Sequence, residues 1–243
     1  MFKLIATVKT GQSNLTKSMV KILANGNSKN EIWLDRKAVQ HRPVYFGIKR
    51  IADIVLSILG LLGLSPLLLI LIIMVKFDGS HGRVFYIQKR IGKNGKAFHM
   101  YKFRSMIPNA DAYLAKLQQK NEIHGAMFKM KDDPRITRVG KFIRKYSLDE
   151  LPQLLNVIGG SMSLVGPRPP LPSEVAKYSK YDAQRLYVVP GCTGLWQVTA
   201  RNDTDFAGAV RLDLEYIQKS SLLFDLKILL GTVKVMIKPN AAY

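Results

Sequence analysis

Hydrophobic positions are unevenly distributed along this chain of 243 residues. The densest run, IVLSILGLLGLSPLLLILIIMV, extends from Ile54 to Val75 without a charge. As one straight helix it would measure about 33 Å, enough to cross a bilayer core. It is apolar on every side, unlike a surface helix of a soluble domain. Ser65-Pro66 lies at its centre, where proline removes a backbone hydrogen bond and bends a helix. Lys49 and Arg50 precede the run, and Lys76 and Arg83 follow it. Positive charge favours the cytoplasmic side. Two basic flanks therefore favour a helix that enters, turns at Ser65-Pro66 and leaves on the same face. Ser65 would then bond a carbonyl freed by the bend. A kinked spanning helix is the competing arrangement. Either way, the chain downstream lies on the cytoplasmic face.

Elsewhere the pattern predicts shorter elements. Strand-like clusters around VFYIQ and FHMYKF flank GKNGK, whose residues suit a turn, so a β-hairpin is expected. Residues 112 to 125 read as a surface helix, and Asp133-Pro134 as a turn. Arg138, Lys141, Arg144 and Lys145 recur at roughly helical spacing. Residues 221 to 237 are apolar with Asp225, Lys227 and Lys234 interspersed. That suits a helix in the membrane interface or an ordinary core helix. Residues 8 to 50 are polar and mixed, with one short helix expected near LTKSMVKILA. The opening patch FKLIATV is too short for a cleavable leader.

Charge changes the picture. There are 37 Lys plus Arg against 17 Asp plus Glu, a formal net charge of +20. So large an excess favours an anionic partner: nucleic acid, a phospholipid surface or a phosphorylated substrate. From Gly79 to Met106 there are seven Lys or Arg and no acid. Aromatics interleaved with these bases would suit single-stranded nucleic acid. Next to a membrane segment, lipid headgroups or a diphosphate fit better. Cys192 is the only cysteine, so no intrachain disulfide can form. The four histidines lack paired spacing, which disfavours zinc.

Against this basic background, YSLDELPQLLNV sets Asp149 and Glu150 side by side. Ser147 and Glu150 fit the S-x-x-E capping box. Alternatively Asp149 is the N-cap, with Pro152 in the first turn, where its missing N–H does no harm. A helix start also binds phosphate. As a nucleophile, Asp149 is already ionised and needs no base. Its difficulty is repulsion from phosphate oxygens, so cations must surround it. The sequence offers Arg144, the Lys102/Arg104 stretch and Arg168. Arg168 stands in the stiff turn Gly166-Pro167-Arg168-Pro169, suited to a bidentate phosphate contact. A magnesium ion held by Asp149 and Glu150 would add to that charge. Adjacent carboxylates do not easily flank a glycosidic bond at the required separation, so a glycosidase is a poor alternative. VPGCTGLWQVTARND (189–203) reads as a Gly-rich loop, a short apolar stretch and then Arg201-Asn202.

Taken together, SLDELPQLLNVIGGSMSLVGPRP, YKFRSM, DPRITRVGKFIRK and PGCTGLWQVTARN resemble the motifs of the bacterial sugar transferases, the small monotopic phosphoglycosyl transferases. The resemblance covers about residues 45 to 238. It implies transfer of a sugar 1-phosphate from a UDP-sugar to undecaprenyl phosphate in the inner leaflet, as a first membrane step of exopolysaccharide, capsule or glycan assembly. It implies that Asp149 attacks the β-phosphate, expels UMP and carries the phosphosugar. Mg²⁺ is the implied cofactor, with Glu150 the matching glutamate. Arg144 and Arg168 match the family's arginines, and Lys102, Arg104, Arg201 and Asn202 are the further binding candidates. Ser65-Pro66 matches its re-entrant helix break. Ala200 departs from the glycine expected before Arg-Asn.

The expected architecture is α+β and mostly helical, in a monotopic membrane protein. It would comprise an N-terminal extension (1–44), a re-entrant helix (45–78) and a cytoplasmic catalytic domain (79–243) with a small β-hairpin and interfacial amphipathic helices. Expected partners are a UDP-sugar, undecaprenyl phosphate, anionic lipids and downstream glycosyltransferases, with no nucleic acid. A non-catalytic basic scaffold at the membrane surface is the rival reading.

Overall fold

The apolar run folds as two helices that part where the proline predicts. The computed structural model describes residues 31–117, 130, 132–199 and 204–237, and every element assigned here lies in the unit Trp33–Tyr243. A short helix, α1 (Arg36–Gln40), leads into α2 (Pro43–Gly63) and α3 (Ser65–Lys76). The last two differ in direction by 65°. Pro66 falls in the first turn of α3, where no intrahelical N–H is needed. Ser65 Oγ donates to the Leu62 carbonyl at 2.7 Å, satisfying a group left free by the break. No single helix among the described residues is long and apolar enough to cross a membrane; this bent pair is, by length and composition.

Both outer ends of the pair are tied to the rest of the same compact unit. On α2, Arg50 donates to the Val157 and Ile158 carbonyls. Asp53 accepts from Ser163 Oγ at 2.7 Å and the Leu164 N–H at 3.1 Å. At the end of α3, the Val75 carbonyl accepts from Arg104 at 2.7 Å. Between these ties the outward residues Ile51, Val55, Leu59, Leu62, Leu69 and Ile73 are exposed.

The hairpin forms as expected. β1 (Phe85–Ile91) pairs antiparallel with β2 (Ala97–Phe103), with Tyr86 opposite Lys102 and Arg90 opposite Phe98. Asn94 and Gly95 take the left-handed conformations that reverse the chain. Then come α4 (Ala110–Leu117), α5 (Arg138–Lys145), a 3₁₀ turn at Leu148–Glu150 and α6 (Gln153–Ile158). α4 covers the start of the surface helix expected at 112–125; much of the rest lies outside the described residues, as does LTKSMVKILA. A second small sheet pairs β3 (Ser163–Val165) in parallel with β4 (Gly191–Thr193). α7 (Pro172–Val175) and a 3₁₀ turn (Asp182–Tyr187) lie between them. α8 (Leu195–Thr199), α9 (Phe206–Lys219) and α10 (Leu222–Ile237) complete the unit.

Two cores hold the site in place. Leu71 and Val75 of α3 are buried against Phe103 and Ile143, with Leu148 and Leu151 packed alongside. Complete burial of each such side chain is worth about 1.5–3 kcal/mol. Met100, Val157 and Met162 form the second core, between hairpin and α6. The compact unit begins at Trp33, and residues 33–44 pack within it. Gln40 Nε2, for example, reaches the Tyr187 carbonyl at 2.9 Å.

α10 has two apolar-looking faces with different neighbours. Inside, Asp225 and Ile228 are buried, and Asp225 accepts from Tyr45 Oη (2.9 Å), Lys49 Nζ (3.0 Å) and Tyr216 Oη (2.8 Å). Outside, Leu223, Leu226, Leu230, Val233 and Ile237 are exposed. Their spacing of three and four residues makes one apolar stripe.

Candidate active site

The acidic pair sits on a turn built by its neighbours. α5 starts at Thr137, whose Oγ1 accepts from the Gly140 N–H at 2.9 Å. A Cβ at position 140 would overlap the Ser105 backbone, so glycine is required there. After α5, Ser147 adopts a left-handed conformation (φ 57°) and swings the chain into the 3₁₀ turn. Leu148 and Leu151 then pack towards α3, with Asp149 and Glu150 between them. Asp149 is buried, 8% exposed.

The expected capping box does not form. Ser147 makes no side-chain cap, because its left-handed backbone is not the extended one a cap requires. Glu150 instead bonds Lys102 Nζ at 2.8 Å, linking the turn to β2. Asp149 is not an N-cap either. It lies inside the 3₁₀ turn, and Pro152 stands at the N-cap of α6.

Burial pushes the Asp149 carboxyl up to about 6. Lys102 and Arg144 favour its ionised form, while the adjacent Glu150 opposes it. Three expected residues, Lys102, Arg144 and Glu150, therefore act on Asp149 together. At pH 7 a carboxyl with that value is mostly ionised.

Arg168 stands on a neighbouring rim. Its Nη1 donates to Glu174 at 3.1 Å, and its side chain is 25% exposed. The buried Arg90 connects the two parts: it donates to the Pro169 carbonyl at 2.9 Å. Burial and the Arg168 charge lower its pKa, while Glu174 and Glu150 support its charge. Sequence reasoning missed Arg90. The two-residue alternation of β1 puts it on the face shared with Lys102 of β2, which was the available signal. It also missed Asn156, which fastens α6 to β2. Its Oδ1 accepts from the Tyr101 N–H at 2.9 Å and its Nδ2 donates to the His99 carbonyl at 2.7 Å.

Arg104 is placed elsewhere. It is 7% exposed, and all three guanidinium nitrogens are engaged. Nε bonds the Arg83 carbonyl, Nη1 bonds Asp78 and Ser80, and Nη2 bonds the Val75 carbonyl and Asp78. It locks the exit of α3, leaving no donor directed to a phosphate. Only Phe103 separates it from Lys102, yet Lys102 lies in β2 and Arg104 just past its end, and the two go to different partners. Arg201 and Asn202 lie outside the described residues.

Among the described residues, no three His, Cys, Asp or Glu side chains gather to hold a metal. Asp149 and Glu150 alone supply hard oxygen donors. That set fits magnesium only in its common form, with one or two carboxylates and most remaining positions filled by substrate phosphate and water.

The bacterial sugar transferase family model matches residues 44–239. The galactosyl transferase CpsE of Streptococcus agalactiae is 47% identical over 80% of this chain and 43% of its own length. The undecaprenyl-phosphate galactose phosphotransferase of Salmonella typhimurium is 46% identical over 81% of this chain and 42% of its own. The exopolysaccharide production protein ExoY of Sinorhizobium fredii is 43% identical over 83% of this chain and 91% of its own. The chain thus spans less than half of the first two relatives and nearly all of the third. It belongs to the bacterial sugar transferase family.

Proposed function

We propose that this sugar transferase moves a sugar 1-phosphate from a UDP-sugar to a polyprenyl phosphate, with Asp149 as covalent nucleophile. The observation that carries the reading is the setting of Asp149. It is a buried carboxylate under the fields of Lys102 and Arg144, on a turn whose flanking leucines pack against the apolar α3. A water-soluble nucleotide sugar and a lipid phosphate would meet at such a place.

The steps balance as follows. An Asp149 oxygen attacks the β-phosphorus of the donor. The bond from that phosphorus to the bridging oxygen breaks, and UMP leaves with the bonding electrons. The phosphosugar remains esterified to Asp149. A phosphate oxygen of the polyprenyl phosphate then attacks the same phosphorus and releases the carboxylate, giving a polyprenyl diphosphate sugar. Both attacks bring anions together, so Lys102, Arg144 and Arg168 stabilise charge in the transition state. Magnesium bound by Glu150 and Asp149 with the donor phosphates would supply further charge neutralisation.

The membrane arrangement belongs to the same proposal. Both ends of the bent pair fasten to one compact unit, which favours entry and exit on a single, cytoplasmic face over a crossing. The exposed apolar stripe of α10 suits a helix lying in the interface. The net charge of +20 suits anionic lipid. Asp149→Asn tests the catalytic reading: UMP release from a UDP-sugar should vanish while membrane association persists. Surviving turnover would remove Asp149 from the nucleophile's role and favour a scaffold.

A further inference from the structure

We infer that the buried pair Arg185–Asp213 is the positioning device for Arg168; this rests on the reading of Arg168 as a phosphate ligand. Pro167, Pro169 and Pro170 have no N–H. From Pro167 to Pro170 the backbone can be held only through its carbonyls and the Arg168 N–H. Each carbonyl has its own donor. Pro167 accepts from the Gly191 N–H at 2.9 Å and Pro170 from the Ile91 N–H at 3.0 Å. Pro169 accepts from Arg90 at 2.9 Å. The carbonyl of Arg168 itself accepts from Arg185 Nη2 at 3.4 Å.

Arg185 is fixed in turn. Its side chain is 3% exposed and that of Asp213 is 0% exposed. Nε donates to Asp213 Oδ2 at 2.8 Å and Nη1 to Tyr178 Oη at 2.7 Å. The pair therefore reaches the turn through the Arg168 carbonyl. The 3₁₀ turn carrying Arg185 is itself clasped from residues 34 and 40, through the Leu34 N–H to Gln184 (2.7 Å) and Gln40 to the Tyr187 carbonyl. A buried ion pair is weak evidence for stability. This pair contributes geometry: a guanidinium fork spans an acid, a phenol and a carbonyl at once, which an ammonium cannot do.

The test is a coupling measurement on the full chain in lipid nanodiscs, scored by UMP release. Arg185→Lys keeps the ion pair with Asp213 but loses the fork. It should keep Tm within a few degrees and lower kcat/KM about tenfold. In an Arg168→Ala background the same change should cost less than twofold. The double change Arg185→Met with Asp213→Leu removes both charges together and should show the same coupling if the single variant folds poorly. An equal loss with and without the Arg168 side chain, or no loss in the wild type, would overturn the proposal. Full turnover by Arg168→Ala alone would instead sink the phosphate-ligand reading, which the single variant reports separately.

Discussion

Two groups of buried charge in this molecule treat an aspartate in opposite ways. At the exit of α3, Asp78 meets Arg104 and Ser80. Burial works against its charge, but those hydrogen bonds outweigh burial and hold its carboxyl below the usual range. On the turn after α5, burial of Asp149 wins over the fields of Lys102 and Arg144, and its carboxyl is raised. The difference lies in where the cations spend their donors. Arg104 gives all of its nitrogens to groups around Asp78. Lys102 gives its contact to Glu150. The first arrangement is a structural lock, and the second leaves a raised carboxyl beside two cations, the setting the proposed nucleophile requires.

The largest expected effect separates the two sites outright. Asp149→Asn should lower UMP release by at least about a thousandfold, whereas Asp78→Asn should act mainly through stability. The stability changes should also differ in sign. The folded pKa of Asp149 lies above the unfolded value, so its ionisation costs stability as pH rises through 4 to 6. Two units correspond to roughly 3 kcal/mol at pH 8. Asp149→Asn should therefore raise Tm at pH 8 and give no gain at pH 4. The lowered pKa of Asp78 means stability present above the unfolded value and lost as pH falls through the folded one. Asp78→Asn should lower Tm at pH 8. Thermal unfolding at the two pH values checks both signs.

A second contrast is between two cations two positions apart, one in β2 and one just past its end. Lys102→Met should reduce kcat by about a hundredfold with Tm nearly unchanged. Arg104→Met should cost about 3–5 kcal/mol of stability, since it strands a buried acid, while the fraction that folds retains most of its turnover. Matched kinetics and melting curves would reverse the assignment if Arg104 proved the activity-determining residue. The smallest effect concerns pH alone. If ionised Asp149 is the attacking group, kcat/KM should fall about fivefold between pH 6 and pH 5. A flat profile there would show that its protonation does not matter.

The same contrast explains what the sequence disclosed. The bent helix pair, the hairpin and α5 follow from local pattern: an uncharged run with a central proline, turn residues between strands, and cations at helical spacing. The pairing of Asp149 with Lys102 and Arg144 was legible because the chemistry demands cations. The capping box was a reasonable expectation from Ser147 and Glu150. It fails because Lys102, distant in sequence, captures the glutamate and Ser147 turns left-handed. Arg104 was misplaced for a related reason. Composition marks a cation but not which carbonyls and acids surround it after folding. Arg90, Asn156 and Arg185 act through backbone carbonyls or N–H groups that only the tertiary structure brings near.

The most direct measurement withholds the lipid. The purified full chain is incubated with radiolabelled UDP-sugars, in a panel of glucose, galactose and N-acetylated donors, and the protein is then digested and mapped. The account predicts label from at least one donor on the peptide carrying Asp149, with UMP released in equal amount and the label lost on adding polyprenyl phosphate. Label on a different side chain, or UMP release that begins only once the lipid is present, would contradict it.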